Sequence, residues 1–127
     1  MPSFYEDCPM KRILYVEDDE DTAETVRTIL ELGGHSVTLA RDGREGIRHL
    51  DENQYDLALL DILLPDVSGW EVFENVKNEK TKVVFLTCLP ISRSEREDLC
   101  KRGVADYLIK PFIKEALATR INEILSQ

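Results

Sequence analysis

The sequence lacks what a membrane anchor, a disulfide framework or a nucleic-acid-binding surface requires. No apolar run approaches the roughly 20 residues that cross a bilayer, and the first twelve residues, MPSFYEDCPMKR, have no apolar stretch of the signal-peptide kind. Three cysteines occur, Cys8, Cys88 and Cys100, without a C-x-x-C spacing. An odd count so spaced implies neither a disulfide framework nor a zinc site, and it fits a reduced, cytoplasmic protein. Bases are few: 16 Lys and Arg stand against 25 Asp and Glu, a formal net charge of -9. That balance argues against direct binding to nucleic acid or to an anionic membrane. The first apolar run is followed by no glycine-rich turn, which disfavours a nucleotide or flavin held by backbone N–H groups. The two histidines, His35 after a Gly-Gly pair and His49 inside a helical segment, are not placed for catalysis.

What remains is a 127-residue chain, 43% hydrophobic and 32% charged, enough for one domain with its own core. Residues 1–10, polar and proline-containing, read as a loose leader, and 11–127 as the domain. Two periodicities alternate from there on. Ile13-Leu14-Tyr15-Val16 is a β-favouring run, followed by Ala23, Val26, Ile29 and Leu30 at helical spacing. Val37 and Leu39 mark a second strand, and a helix follows over 43–53. Leu57-Ala58-Leu59-Leu60 has the unbroken apolar pattern of a strand buried on both faces. Val72, Phe73 and Val76 give the next helical stripe, and Val83-Val84-Phe85-Leu86 and 104–109 the last two strands. Between these, Ser92-Arg93-Ser94-Glu95 matches a capping box. Ile113, Leu117, Ile121, Ile124 and Leu125 complete an amphipathic helix. Five β-α units imply an α/β fold of three layers, αβα, with a parallel sheet. Right-handed crossovers bring all strand C-terminal ends to one edge, where open α/β sheets place their sites.

Chemistry gathers at those ends. The first strand runs into five acids, Glu17 to Asp21. Asp19, Glu20 and Asp21 serve equally well as a helix start, with Asp19 as N-cap. Glu17 and Asp18 continue a buried strand, where neighbouring carboxylates repel unless a cation such as Mg²⁺ is present. The third strand ends in Asp61, and the loop after it, with Ile62, Leu63 and Leu64, is expected to fold back over the site. With strands one and three adjacent, Asp61 lies beside Asp18. Thr87 ends the fourth strand; Lys110, before Pro111, ends the fifth and needs an anionic partner. The Lys110-Pro111 bond is a candidate cis peptide, and Cys88 is expected to pack. Acids for a metal, a hydroxyl and a mobile cation together fit phosphoryl transfer. A carboxylate nucleophile would form an acyl phosphate, and Asp61, on the central strand, is the best placed.

This pattern, Ile13 to Asp19, then Asp61 with Pro65 and Gly69, Thr87, and Asp106-Tyr107-Leu108-Ile109-Lys110-Pro111-Phe112, resembles the receiver domain of two-component response regulators over residues 11–126. The resemblance implies a flavodoxin-like (βα)5 fold with sheet order 2-1-3-4-5. It implies that Asp61 takes a phosphoryl group from a sensor histidine kinase or histidine phosphotransfer protein, with Mg²⁺ held by Asp18, Asp61 and the Leu63 backbone carbonyl, and Glu17 assisting through water. Lys110 then pairs with the phosphoryl group, while Thr87 and Tyr107 act as switch residues. The fourth helix, fifth strand and fifth helix form the output surface toward a protein target or a fused output domain, and this surface can dimerise on phosphorylation. Such a domain is not a stand-alone enzyme, although it catalyses its own phosphorylation and dephosphorylation. Leu63 and Leu89, apolar where relatives are often polar, imply slow self-hydrolysis. The alternative is a degenerate receiver that works only as an interaction module. A Mg²⁺-dependent phosphohydrolase would need a cap for which 127 residues leave no room.

Overall fold

The computed structural model describes residues 10–127; the expected leader and Cys8 lie outside the described residues apart from the exposed Met10. Ten elements alternate: β1 (Arg12–Val16), α1 (Glu20–Leu32), β2 (Ser36–Ala40), α2 (Gly43–Glu52), β3 (Leu57–Leu60), α3 (Gly69–Glu74), β4 (Lys82–Thr87), α4 (Arg93–Lys101), β5 (Val104–Ile109) and α5 (Lys114–Leu125). All strand pairs are parallel, in the order β2-β1-β3-β4-β5.

Side-chain alternation along each strand feeds two apolar layers. Ile13 and Tyr15, Leu57 and Leu59, and Val84 and Leu86 face α1 and α5, whose Val26, Ile29, Leu30, Leu117, Ile121 and Ile124 meet them. The intervening Leu14, Val16, Ala58, Leu60, Val83 and Phe85 face the opposite layer, with Val72, Leu99 and Tyr107. Both faces of the central strands are therefore dry, and each fully buried Leu, Ile or Val contributes about 1.5–3 kcal/mol.

Helix ends follow local chemistry. Asp19 caps α1, its carboxylate accepting from the Thr22 N–H at 2.9 Å. The Ser92 capping box is complete in both directions, the Glu95 carboxylate accepting from the Ser92 N–H. At the far end of α5, Lys82 Nζ donates to the carbonyls of Ile124 at 2.6 Å and Gln127 at 2.7 Å, tying the helix to the base of β4.

Three expectations need correction. Helix α3 stops at Glu74, so Val76 is not part of a helical stripe; it packs half-buried beyond the end. Ile113 is not on the inner face of α5. It precedes the helix in extended backbone and is exposed, because the buried stripe starts only at Leu117. Cys88 does not pack in the core but is exposed, since the chain leaves the sheet immediately after Thr87.

Candidate functional site

The acids and the lysine converge where the strands end. Glu17 and Asp61 follow β1 and β3, which are paired in register as Val16 with Leu60, and the Asp61 N–H donates to the Val16 carbonyl at 3.1 Å. Both side chains are buried, whereas Asp18 is exposed. One carboxylate oxygen from each of Glu17, Asp18 and Asp61 lies within 4.8 Å of the others. Lys110, after β5, reaches across: its Nζ donates to Asp61 Oδ2 at 2.9 Å and to Glu17 Oε1. The Lys110-Pro111 peptide is cis.

Glu17 is the most constrained of the three acids. Its Oε1 accepts from the Tyr15 hydroxyl at 3.0 Å as well as from Lys110, and its Oε2 accepts from the Asp19 N–H at 3.2 Å. Burial, with repulsion from Asp61, raises the Glu17 carboxyl above the usual range despite Lys110. Burial alone would lower the Lys110 ammonium, but its bonds to Glu17 and Asp61 outweigh that and raise it. The Glu17 shift is chiefly the cost of burying its charge, and the Lys110 shift is the pull of the two carboxylates it bonds. The donor set is three hard oxygens, one of them on the exposed Asp18, so the residues present fit a hard divalent cation such as Mg²⁺.

The loop after Asp61 is shaped by Gly69. A Cβ there would lie 2.1 Å from the Asp61 carbonyl oxygen and 2.9 Å from Ile62 Cα, so only glycine admits the approach. The Gly69 N–H donates to the Ile62 carbonyl at 3.0 Å, closing the loop. The expectation that the loop folds back holds for buried Ile62 and half-buried Leu64 but not for Leu63, which is 52% exposed. The reason is that the Leu63 main chain faces the site, its N–H donating to Asp61 Oδ1 at 3.2 Å.

Thr87 is fully buried at the end of β4, and its hydroxyl oxygen accepts from the Leu89 N–H at a long 3.4 Å. Tyr107 is buried, its hydroxyl donating to the Leu89 carbonyl at 2.9 Å. Leu89 thus joins the two residues through its own backbone. Trp70, directly after Gly69, stacks at a tilt on Phe85 with 4.7 Å between ring centroids, a packing role. His49 lies beside Glu45 on α2, and His35, just before β2, bonds Asn122; neither is at a strand's C-terminal end.

The fold agrees with the comparisons. The family model described as the response regulator receiver domain matches residues 13–122. The chain belongs to the receiver domains of two-component response regulators. It is 38% identical over 112 residues to the transcriptional regulatory protein DltR of Streptococcus agalactiae, covering 87% of this chain and 50% of that protein. It spans about half the length of the curated relatives it matches. Among solved structures, the non-phosphorylated HemR receiver domain from Leptospira biflexa superposes with a TM-score of 0.84 at 32% identity, over 92% of this chain and 95% of that one. TrrA of Thermotoga maritima, solved in complex with Mg²⁺-BeF, gives 0.77 at 30% identity, over 91% and 99%. The flavodoxin-like (βα)5 architecture is therefore shared with receiver structures. No helix among the described residues of this receiver domain is long and apolar enough to cross a membrane.

Sequence reasoning missed two participants. The Tyr15 hydroxyl was readable in principle, because residues two apart on a strand share a face. The reach of Gly69 to the Asp61 carbonyl was not, because it depends on how the loop closes.

Proposed function

We propose that this receiver domain takes a phosphoryl group onto Asp61 from a phosphohistidine of a sensor histidine kinase or histidine phosphotransfer protein, in a Mg²⁺-dependent reaction. The observation that carries the reading is the Lys110 ammonium held against Asp61 and Glu17, with Asp18 exposed beside them. Asp18, Asp61 and the Leu63 carbonyl would hold the metal, with Glu17 assisting from its oriented position. When bound, Mg²⁺ would offset the negative charge of the phosphoryl oxygens.

In the transfer, an Asp61 carboxylate oxygen attacks phosphorus. The new O–P bond forms as the donor's P–N bond breaks, and the electron pair stays with the imidazole nitrogen. Lys110 turns from the carboxylates to the phosphoryl oxygens it can now pair with. Thr87, whose hydroxyl hydrogen is not used by its bond from Leu89, donates to the phosphoryl group as it moves. That movement displaces Leu89 and with it the acceptor of the Tyr107 hydroxyl. Hydrolysis reverses the change: water attacks phosphorus, leaving inorganic phosphate and the Asp61 carboxylate. Leu89 is half-buried near the site and is the better placed of the two leucines to slow it, Leu63 being turned to solvent.

The output reading rests on α4, β5 and α5. Asp106 on β5 accepts from Arg96 of α4 at 3.1 Å and from Arg120 of α5 at 2.6 Å, so one carboxylate joins the three elements. We propose that this surface signals to a protein target or a fused output domain in the cytoplasm, and that it can pair with a second copy on phosphorylation. The test is labelling by acetyl phosphate with Mg²⁺, read by intact-protein mass. One phosphoryl group is expected on the wild type and none on Asp61→Asn. Labelling that survives Asp61→Asn unchanged would reject the reading, and a folded wild type that takes no label would leave the interaction-module alternative.

A further inference from the structure

We infer that Tyr15 is a positioning residue for Glu17, the donor that keeps this carboxylate in place when Lys110 leaves it. The inference rests on the proposed function in one respect, the turning of Lys110 toward an anion at Asp61. In the structure, Glu17 Oε1 has two donors, Tyr15 and Lys110, and Oε2 has one, the Asp19 N–H. The two donors to Oε1 differ in kind. Lys110 is shared with Asp61, sits on a flexible stem and is only partly buried, so any new anion at Asp61 competes for it. Tyr15 is fully buried in the apolar layer between the sheet, α1 and α5, and among the described residues its hydroxyl has Glu17 as its one hydrogen-bond partner. Its ring cannot follow the lysine. Once Lys110 turns away, Glu17, itself buried, keeps a donor on Oε1 only through Tyr15. Without that donor only the Asp19 N–H remains, on Oε2, and the carboxylate is free to rotate off it. A buried carboxylate left with one donor is costly and seeks other partners.

The geometry makes a prediction that plain core filling does not. Tyr15→Phe keeps the ring and removes only the donor. The Asp19 amide resonance reports whether Glu17 Oε2 is in place, and Glu17→Ala defines its unbonded position. With no metal and no phosphodonor, Lys110→Met should leave the Asp19 amide near its wild-type shift, because Tyr15 still holds Glu17. Adding Tyr15→Phe to Lys110→Met should move it most of the way to the Glu17→Ala position. A double variant that matches Lys110→Met alone overturns the inference. So does a Lys110→Met amide already at the unbonded position. Calorimetric titration with Mg²⁺ alone gives a second readout: in the Lys110→Met background, Tyr15→Phe should weaken binding about tenfold, the scale of losing a partner that orients a metal ligand. The same substitution should have no further effect once Glu17→Ala is present, because Tyr15 acts through Glu17. Equal Mg²⁺ affinities of Lys110→Met with and without Tyr15→Phe overturn the inference while leaving the phosphoacceptor reading intact. A wild type without saturable Mg²⁺ binding overturns the Mg²⁺ reading, and the amide shifts then decide the role of Tyr15 alone.

Discussion

Gly69→Ala sets two local rules against each other, and the structure decides the sign. Gly69 is the first residue of α3 after the Ser68 cap, in ordinary negative-φ backbone, where helix propensity alone favours alanine by up to about 1 kcal/mol. The contacts say otherwise. An added Cβ would sit 2.1 Å from the Asp61 carbonyl oxygen, 2.8 Å from its carbonyl carbon and 2.9 Å from Ile62 Cα. These are backbone atoms of the segment that presents Asp61, so no side chain can swing away, and relief needs a main-chain shift of about 1 Å. Overpacking of this kind costs about 1–3 kcal/mol, which outweighs the propensity gain. At this chain length the net loss lowers the melting temperature by several degrees, on the scale of about 2–8 °C per kcal/mol. The same shift carries Asp61 away from Lys110, and a misplacement of about 1 Å can cost about a hundredfold in the rate of acetyl phosphate labelling. Circular dichroism melts and timed labelling measure the two effects. Gly33→Ala is the milder comparison: its backbone is ordinary and the nearest contact to an added Cβ, the Leu30 carbonyl oxygen at 3.2 Å, asks for a shift of only a few tenths of an ångström, so it should cost clearly less than Gly69→Ala. A Gly69→Ala protein as stable as wild type and labelled at the same rate would refute the packing argument.

Further expectations follow from the same geometry. Mg²⁺ at about a hundred times its dissociation constant should add about 2.7 kcal/mol to stability, seen as a raised melting temperature, and Asp18→Asn or Asp61→Asn should abolish the gain. Glu17, whose carboxyl burial raises, binds a proton more readily folded than unfolded, so it destabilises the metal-free protein at neutral pH and ceases to as pH falls through its folded pKa. The melting-temperature advantage of Glu17→Gln should accordingly be largest near neutrality and close as the solution is acidified above the ordinary carboxylate range. Arg120→Ala removes one of two cations from Asp106 at a partly exposed site and should cost about 0.5–1 kcal/mol by urea denaturation. Ser92→Ala, which opens the capping box of α4, should cost about 1 kcal/mol in the same assay.

The elements were legible because burial imposes a pattern. Leu57 to Leu60 reads as a doubly covered strand, and is one, since every residue in it is buried. Ser92 with Glu95 reads as a cap and is one, because the capping box is a local device that needs no tertiary contact. The candidate site was legible for a related reason: a charged residue that directly continues an apolar strand must arrive at the strand's end, and parallel topology puts those ends together. Leu63, Ile113 and Cys88 depart from the sequence expectation because apolar character does not say which way a residue outside regular structure points. Leu63 turns outward because its own N–H is used by Asp61. Cys88 and Ile113 each stand just outside an element, where neither strand alternation nor helical spacing applies.

Charge accounts for why the edge is built as it is. Among the described residues, Lys110 is the one cation in ion-pair contact with Glu17 and Asp61, so the three-acid cluster is left about two charges negative when all are ionised. Phosphorylation would replace the single charge on Asp61 by nearly two on the phosphoryl group. A buried edge cannot absorb that increase by solvation, because Glu17 and Asp61 are already sheltered from water. It needs either a divalent cation or a structural change that brings donors closer. Asp18, exposed beside two buried acids, leaves the approach open for the first. Thr87 and Tyr107, joined through the backbone of Leu89, allow the second. A site with enough positive charge of its own would hold a phosphoryl group without moving. On the proposed function, the deficit at this edge is what would make phosphorylation felt at Tyr107, and a variant that supplies another cation beside Lys110 while keeping Thr87, such as Cys88→Lys at an exposed position, should weaken the change in Tyr107 environment on phosphorylation.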